Sequence, residues 1–205
     1  IGARLGFGFG LVVLLLLGVT FLGITGIGAV NEDMQIIGSE MYPKVQQSTT
    51  IMDNVDNTGL SMGYIVILGD PEATKSELKA IEASKSEIKE AFEQLDKTIA
   101  TEKGREIFKA MVNARDKYAV HQDEFVRLAR EGKLEEAKNT LTQLRSTQGA
   151  YTDSVEEMIK YQDDLMVKAQ AAGVEEFHNA RNMMLTLAGF AVLLACAIAF
   201  WVTPG

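Results

Sequence analysis

Two uninterrupted apolar runs bracket a long stretch in which apolar residues recur every three or four positions. The first run, Leu11 to Val30, reads LVVLLLLGVTFLGITGIGAV. It is about 20 residues without a charge, the length a helix needs to cross ~30 Å of hydrocarbon. The second, Met183 to Val202, reads MMLTLAGFAVLLACAIAFWV and carries Trp201 near one end, where an indole favours a membrane interface. A cleaved leader is not expected of the first run, because it is too long and no small-x-small site ends it before Asn31. Two spans put residues 31–181 on one side of a membrane and both termini on the other. Arg4 favours a cytoplasmic amino end, while Arg181 beside the second span pulls the other way. Gly2, Gly6 and Gly10 stand four residues apart, a weak signal for close helix approach.

Punctuation divides the middle into four helices. Asp70-Pro71-Glu72 supplies an N-cap acid, a proline at the first helical position and an acid in the first turn, and Gly69 stops the preceding helix. Glu131-Gly132-Lys133 marks a second glycine-centred turn, and a softer break falls around Thr101 to Gly104. The predicted helices are Asn31–Leu68, Pro71–Ala100, Glu102–Arg130 and Lys133–Arg181. Pro43 is expected to kink or restart the first of them. A 3-4 apolar repeat gives each a core face. It runs Met41, Val45, Met52, Val55, Met62, Val66 in the first and Leu78, Ile81, Ile88, Phe92, Leu95, Ile99 in the second. In the third it is Ile107, Met111, Ala114, Phe125, Leu128, and in the fourth Ala137, Leu141, Leu144, Val155, Met158, Leu165, Ala169. Strand-type alternation is missing. Short connections force antiparallel neighbours. The expected fold is all-α: an antiparallel up-down-up-down four-helix bundle continuous with two transmembrane helices. Its expected domains are 1–30, 31–181 and 182–205.

Charge sharpens this partition. All 28 Asp and Glu lie between Glu32 and Glu176, and only Arg4 and Arg181 of the 20 Lys and Arg lie outside that stretch. The middle therefore sets 18 cations against 28 acids, a net −10, within a chain of net −8. Such a surface lacks the clustered cationic face that nucleic acid requires. The single Cys196 has no partner within the chain and reads as a small buried hydrophobe.

Candidate chemistry lies where the core seam stops being apolar. Continuing the 3-4 register places Lys85 on the second helix, Tyr118 and His121 on the third, and Gln148 and Tyr151 on the fourth at core positions. Counting from the turns at ~1.5 Å per residue brings them near one level in the membrane-distal half, beside Val55 and the small Gly59. Arg115 borders the same face one turn before Tyr118. Burying such groups without partners costs several kcal/mol. Two arrangements meet this cost. Lys85 and Arg115 reach outward while the other groups bond each other and fix register; or the layer is a pocket for a small anion, with cations neutralising carboxylate and Tyr and Gln orienting it. The candidate ligand residues are Ser84, Lys85, Arg115, Tyr118, His121, Gln148 and Tyr151. Gln162, nearer the membrane, reads as a register-setting core residue. No catalytic motif, metal-ligand spacing or cofactor signature occurs, and no enzyme activity is expected. Acid pairs such as Glu156-Glu157 and Asp163-Asp164 read as solvated faces.

The chain resembles the amino-terminal half of a methyl-accepting chemotaxis protein with a four-helix-bundle sensor domain. The resemblance rests on Ile1-Gly2-Ala3-Arg4-Leu5-Gly6-Phe7-Gly8-Phe9-Gly10 at the first span and Glu40-Met41-Tyr42-Pro43 early in the first outer helix. Leu68-Gly69-Asp70-Pro71-Glu72 and Ala129-Arg130-Glu131-Gly132-Lys133-Leu134-Glu135-Glu136-Ala137 match the two distal turns. It implies a homodimeric chemoreceptor in the inner, cytoplasmic membrane whose sensor domain faces the periplasm or the outside. Such a receptor binds an organic acid or amino acid and acts through a downstream region on a cytoplasmic kinase and adaptor. Receptors of this kind for amino acids use arginines on the first outer helix; here Asp53 to Ser61 contains none, which favours an organic acid such as a dicarboxylate. Because the chain starts at Ile1 and stops at Gly205, the signalling part is expected beyond it. The same module also occurs in histidine kinases and cyclic-dinucleotide enzymes. A scaffold contacting a periplasmic binding protein, with no ligand of its own, is the remaining alternative.

Overall fold

The computed structural model describes residues 2–202, and the side chains of all of these except 2–5, 7, 29, 201 and 202. The readings placed on Ile1 and on the side chains of Arg4 and Trp201 lie outside this range. Helix α1 (Gly2–Ile36) leads through a π-helical turn at Ile37–Met41 into α2 (Tyr42–Leu68). Then follow α3 (Pro71–Thr98), α4 (Glu102–Arg130) and α5 (Leu134–Val202), a single helix of 69 residues. The fold is all-α, and the described residues contain no strand.

Each boundary has a local cause. Pro43 has no N–H to give to the residue four positions back, and its ring crowds that turn. The widened π turn directly before it is the relief, and α2 restarts with Pro43 in its first turn. At the end of α2, Gly69 takes the left-handed conformation (φ 62°) and donates its N–H to the Ile65 carbonyl at 3.2 Å. Asp70 then caps α3, its carboxylate accepting from the Ala73 N–H at 2.9 Å. The turn after α4 is a Schellman arrangement around Gly132 (φ 72°): Lys133 N–H bonds Leu128 O at 3.0 Å and Gly132 N–H bonds Ala129 O at 3.1 Å. The break after α3 comes at Ile99–Thr101, and Thr101 caps α4 by accepting from Gly104 N–H at 3.1 Å. Gly104 is thus part of the first turn of α4 rather than its breaker.

The packing divides the chain into two compact units, residues 39–165 and residues 1–38 with 166–205. In the first, α2, α3, α4 and the opening part of α5 form the four-helix bundle. Ile81, Ile88, Phe92 and Leu95 from α3 meet Ile107, Met111, Phe125 and Leu128 from α4 and Ala137, Leu144, Val155 and Met158 from α5. These are the 3-4 positions read from the sequence. Gln162 is also buried, with its amide 3.7 Å from the Met158 sulfur.

Helix α2 departs from its predicted seam. Ile51 and Ile65 are fully buried, whereas Met52 and Val66 are only partly so. Val55 and Met62 are buried as the seam predicts, and the rest of its inner face is polar: Ser48, Asn54, Thr58 and Ser61. Ser48 and Thr58 satisfy their hydroxyls on carbonyls one turn back, at 2.9 and 2.8 Å, so their burial leaves nothing unpaired. An inner face built from such residues does not register as an apolar repeat.

In the second unit α1 runs antiparallel to the last part of α5 in one register. A Cβ at Gly8 would stand 2.8 Å from Ile198, one at Gly26 2.8 Å from Ala180, and one at Gly173 2.9 Å from the Asp33 carboxylate. The glycines let the backbones approach. Gly6 and Gly10 meet nothing within 4 Å, so the four-residue glycine spacing is not the contact face. Elsewhere the pair exposes Phe21, Ile24, Ile27, Phe190 and Leu193. Both helices contain stretches long and apolar enough to cross a membrane.

Candidate functional site

Midway along α3 and α4 their facing sides part to leave a cleft of about 420 Å3, closed at the bottom by α5. Its floor is Ile88 from α3, Tyr118 and Gln122 from α4, and Tyr151 from α5, all buried. Its rim is Lys85, Ser86 and Lys89 on α3 and Arg115 and Ala119 on α4. Helical spacing brings these together: 85 and 89, and 115, 119 and 122, each stack along one face.

The floor carries unmet hydrogen-bonding capacity. The Tyr118 and Tyr151 hydroxyls and the Gln122 amide nitrogen are buried and make no hydrogen bond of good geometry, although the Gln122 side chain comes close enough to the Tyr118 hydroxyl to act on it. Their rings pack against each other, with centroids 5.8 Å apart, and Tyr151 leans on Phe92 at 6.4 Å. Burial pushes the Tyr118 phenol well above its ordinary range, an effect that nearby Gln122 opposes and Asp56 reinforces. Burial does the same to Tyr151, with Arg115 pulling the other way. Both phenols therefore stay protonated as donors. A buried donor left unmet costs roughly 1–3 kcal/mol, so the floor is set up to receive an acceptor.

The rim cations are loosely held. Arg115 lies with its guanidinium carbon 4.8 Å from the Phe92 ring centre and reaches its neighbour Asp116 at 2.8 Å. Lys85 Nζ stands 2.6 Å from the Asp123 carboxylate, and Lys89 is 4.0 Å from Glu93. Exposed pairs of this sort contribute little, so an incoming anion competes with them on even terms.

Of the seven candidate ligand residues, Lys85, Arg115, Tyr118 and Tyr151 line this cleft. Ser84 is buried on the opposite side of α3, where it lines a separate groove with Asn54, Ser61 and Glu87. His121 is half-buried beside the cleft but is not part of its wall. Gln148 is occupied elsewhere, its amide donating to Asp56 at 3.2 Å and filling the space above Gly59. The small-residue gap anticipated at Gly59 is therefore closed by a side chain of the chain itself. Ser86, Lys89, Ala119 and Gln122 also line the cleft and were not among the sequence candidates. Gln122 sits four residues after Tyr118, as compatible with the seam as His121 three residues after it.

Among known proteins, the family described as a four helix bundle sensory module for signal transduction matches residues 1–177. No curated protein and no solved structure matches the chain. The match takes in α1 through α4 and most of α5, including every residue of the cleft and both distal turns. With four helices packed around one seam and a cleft let into it, the chain belongs to the family of four-helix-bundle sensory modules for signal transduction.

Proposed function

We propose that this sensory module is a membrane-anchored receptor, without enzymatic activity, that binds a small organic anion in the cleft between α3 and α4. In this proposal α5 passes the signal across a bilayer to a cytoplasmic region. The observation that carries the reading is the set of three unpartnered polar atoms on the cleft floor below a rim of cations. Tyr151, on that floor, belongs to the same unbroken helix as the apolar run that ends at Val202. A ligand that pulls on Tyr151 acts directly on that helix. Coupling of this kind typically amounts to ~1–3 kcal/mol, enough to rebalance a two-state output. The resemblance to chemoreceptors supports a homodimer that works through a kinase and its adaptor.

The test uses the 205-residue chain in lipid nanodiscs. An environment-sensitive fluorophore on the sole cysteine, Cys196, which is exposed rather than buried as its sequence context suggested, reports on the far part of α5. In a panel of acetate, succinate and phenylacetate, at least one anion should bind saturably by calorimetry and shift the fluorescence. Arg115→Ala and Lys85→Ala should each weaken binding while helix content is retained. Gly173→Pro removes an α5 hydrogen bond and adds bulk where a Cβ would stand 2.9 Å from the Asp33 carboxylate. That variant should keep affinity and lose most of the fluorescence shift. An unchanged shift would refute transmission through α5, and silence from the whole panel would refute the anion site.

A further inference from the structure

The makeup of the cleft also restricts what kind of anion fits. We infer that the cleft is selective for monocarboxylates with an apolar body, the carboxylate seated between Arg115 and the Tyr118, Gln122 and Tyr151 donors and the body lying along Ile88, Ala119 and the lysine stems. This rests on the cleft being the ligand site.

Three observations carry the inference. First, no Asp or Glu lines the cleft. An α-ammonium entering with an amino-acid ligand would be taken out of water with no carboxylate to meet it, which is costly. Second, the acceptor-seeking groups are gathered on the floor, and all are donors when the phenols are protonated. One carboxylate offers four lone-pair sites, enough to satisfy the two hydroxyls and the amide and still face a guanidinium. Arg115 is the least exposed of the three rim cations, its side chain 37% exposed against 43% for Lys85 and 78% for Lys89. It is also close enough to the Tyr151 hydroxyl to act on it electrostatically. Third, the apolar part of the lining is Ile88 on the floor, Ala119 on the rim and the methylene stems of Lys85 and Lys89, which together form one wall. A second carboxylate would be desolvated along that wall before it reached the lysine ammonium groups at the rim. A volume of about 420 Å3 suits a single small ligand.

Calorimetry on the full chain in nanodiscs with phenylacetate, hexanoate, succinate and phenylalanine tests this. The expected result is one phenylacetate or hexanoate per chain, with succinate and phenylalanine at least ten-fold weaker. Arg115→Gln and Ala119→Leu, which remove the charge and fill the wall, should each weaken phenylacetate at least ten-fold. Circular dichroism on both variants establishes that the helices are intact. Tighter binding of succinate or phenylalanine, lost in Arg115→Gln, would overturn the ligand class and leave the cleft as the site. Phenylacetate binding undiminished by both variants would overturn the cleft, and with it the reading on which this inference rests.

Discussion

Tyr118 and Tyr151 hold their hydroxyls buried on the cleft floor without a hydrogen bond of good geometry. Stability alone does not account for them, since phenylalanine would pack the same space without an unmet donor. Tyr118→Phe should therefore raise the urea midpoint of the ligand-free chain, through an unfolding free energy higher by about 1 kcal/mol, the scale of a relieved unsatisfied hydroxyl. The same variant should bind phenylacetate more weakly. A fall in the midpoint would mean that the hydroxyl is satisfied in solution and that the floor is not waiting for an acceptor. These two tyrosines were legible in the sequence because the seam register buries their rings, whereas Lys85, His121 and Gln148, placed on the same register, stay partly or wholly exposed. His121 and Gln122 were not separable that way, since steps of three and four from Tyr118 both stay on the seam face. Ser84 and Lys85 show the opposite limit. Adjacent residues on a helix point about 100° apart, so one neighbour faces α2 while the other reaches the rim shared with α4.

At the level of elements, the turns were written plainly and the inner face of α2 was not. Gly69, Asp70 and Gly132 each do what their residue type does best: the glycines take positive φ and the aspartate caps a helix. Their neighbours need not be known to read them. The α2 face depends on Ser48, Thr58 and Ser61 being sheltered by the other helices, information that no local window contains. Gly104 combines both kinds of cause. It lies inside α4, where alanine is favoured by about 1 kcal/mol, yet a Cβ there would stand 2.7 Å from Thr101 Oγ1 and 2.9 Å from Ile99. Gly104→Ala must push aside the N-cap oxygen that its own N–H bonds. We expect a net loss of ~1–2 kcal/mol, the cost of a broken cap outweighing the propensity gain. Chemical denaturation measures it, and a stabilised variant would show that the Ile99–Thr101 connection yields easily.

At the scale of the molecule, the ends of the chain and its middle follow different rules, and α5 obeys both within one helix. The acidic middle organises an interior seam, whereas the apolar ends present their side chains outward and meet through glycine. Hydropathy alone places the first buried run at Leu11 to Val30, because it weighs each helix by itself. Pairing weighs them together. Since Gly26 touches Ala180 and Gly8 touches Ile198, Arg181 stands level with Thr25, and Glu175 and Glu176 stand level with the residues around Val30. If the pair sits in a bilayer as proposed, a waterline that keeps those charges wet cuts α1 near Ile24. The lipid-immersed part then begins near Gly6 and spans about 19 residues, ~28 Å at 1.5 Å each. In a Cys196→Ser background, Gly28→Cys should react with a charged maleimide and Gly18→Cys should not; equal protection of both would contradict that immersion depth. Thr25 to Val30, apolar as they are, would then be a greasy collar standing above the lipid.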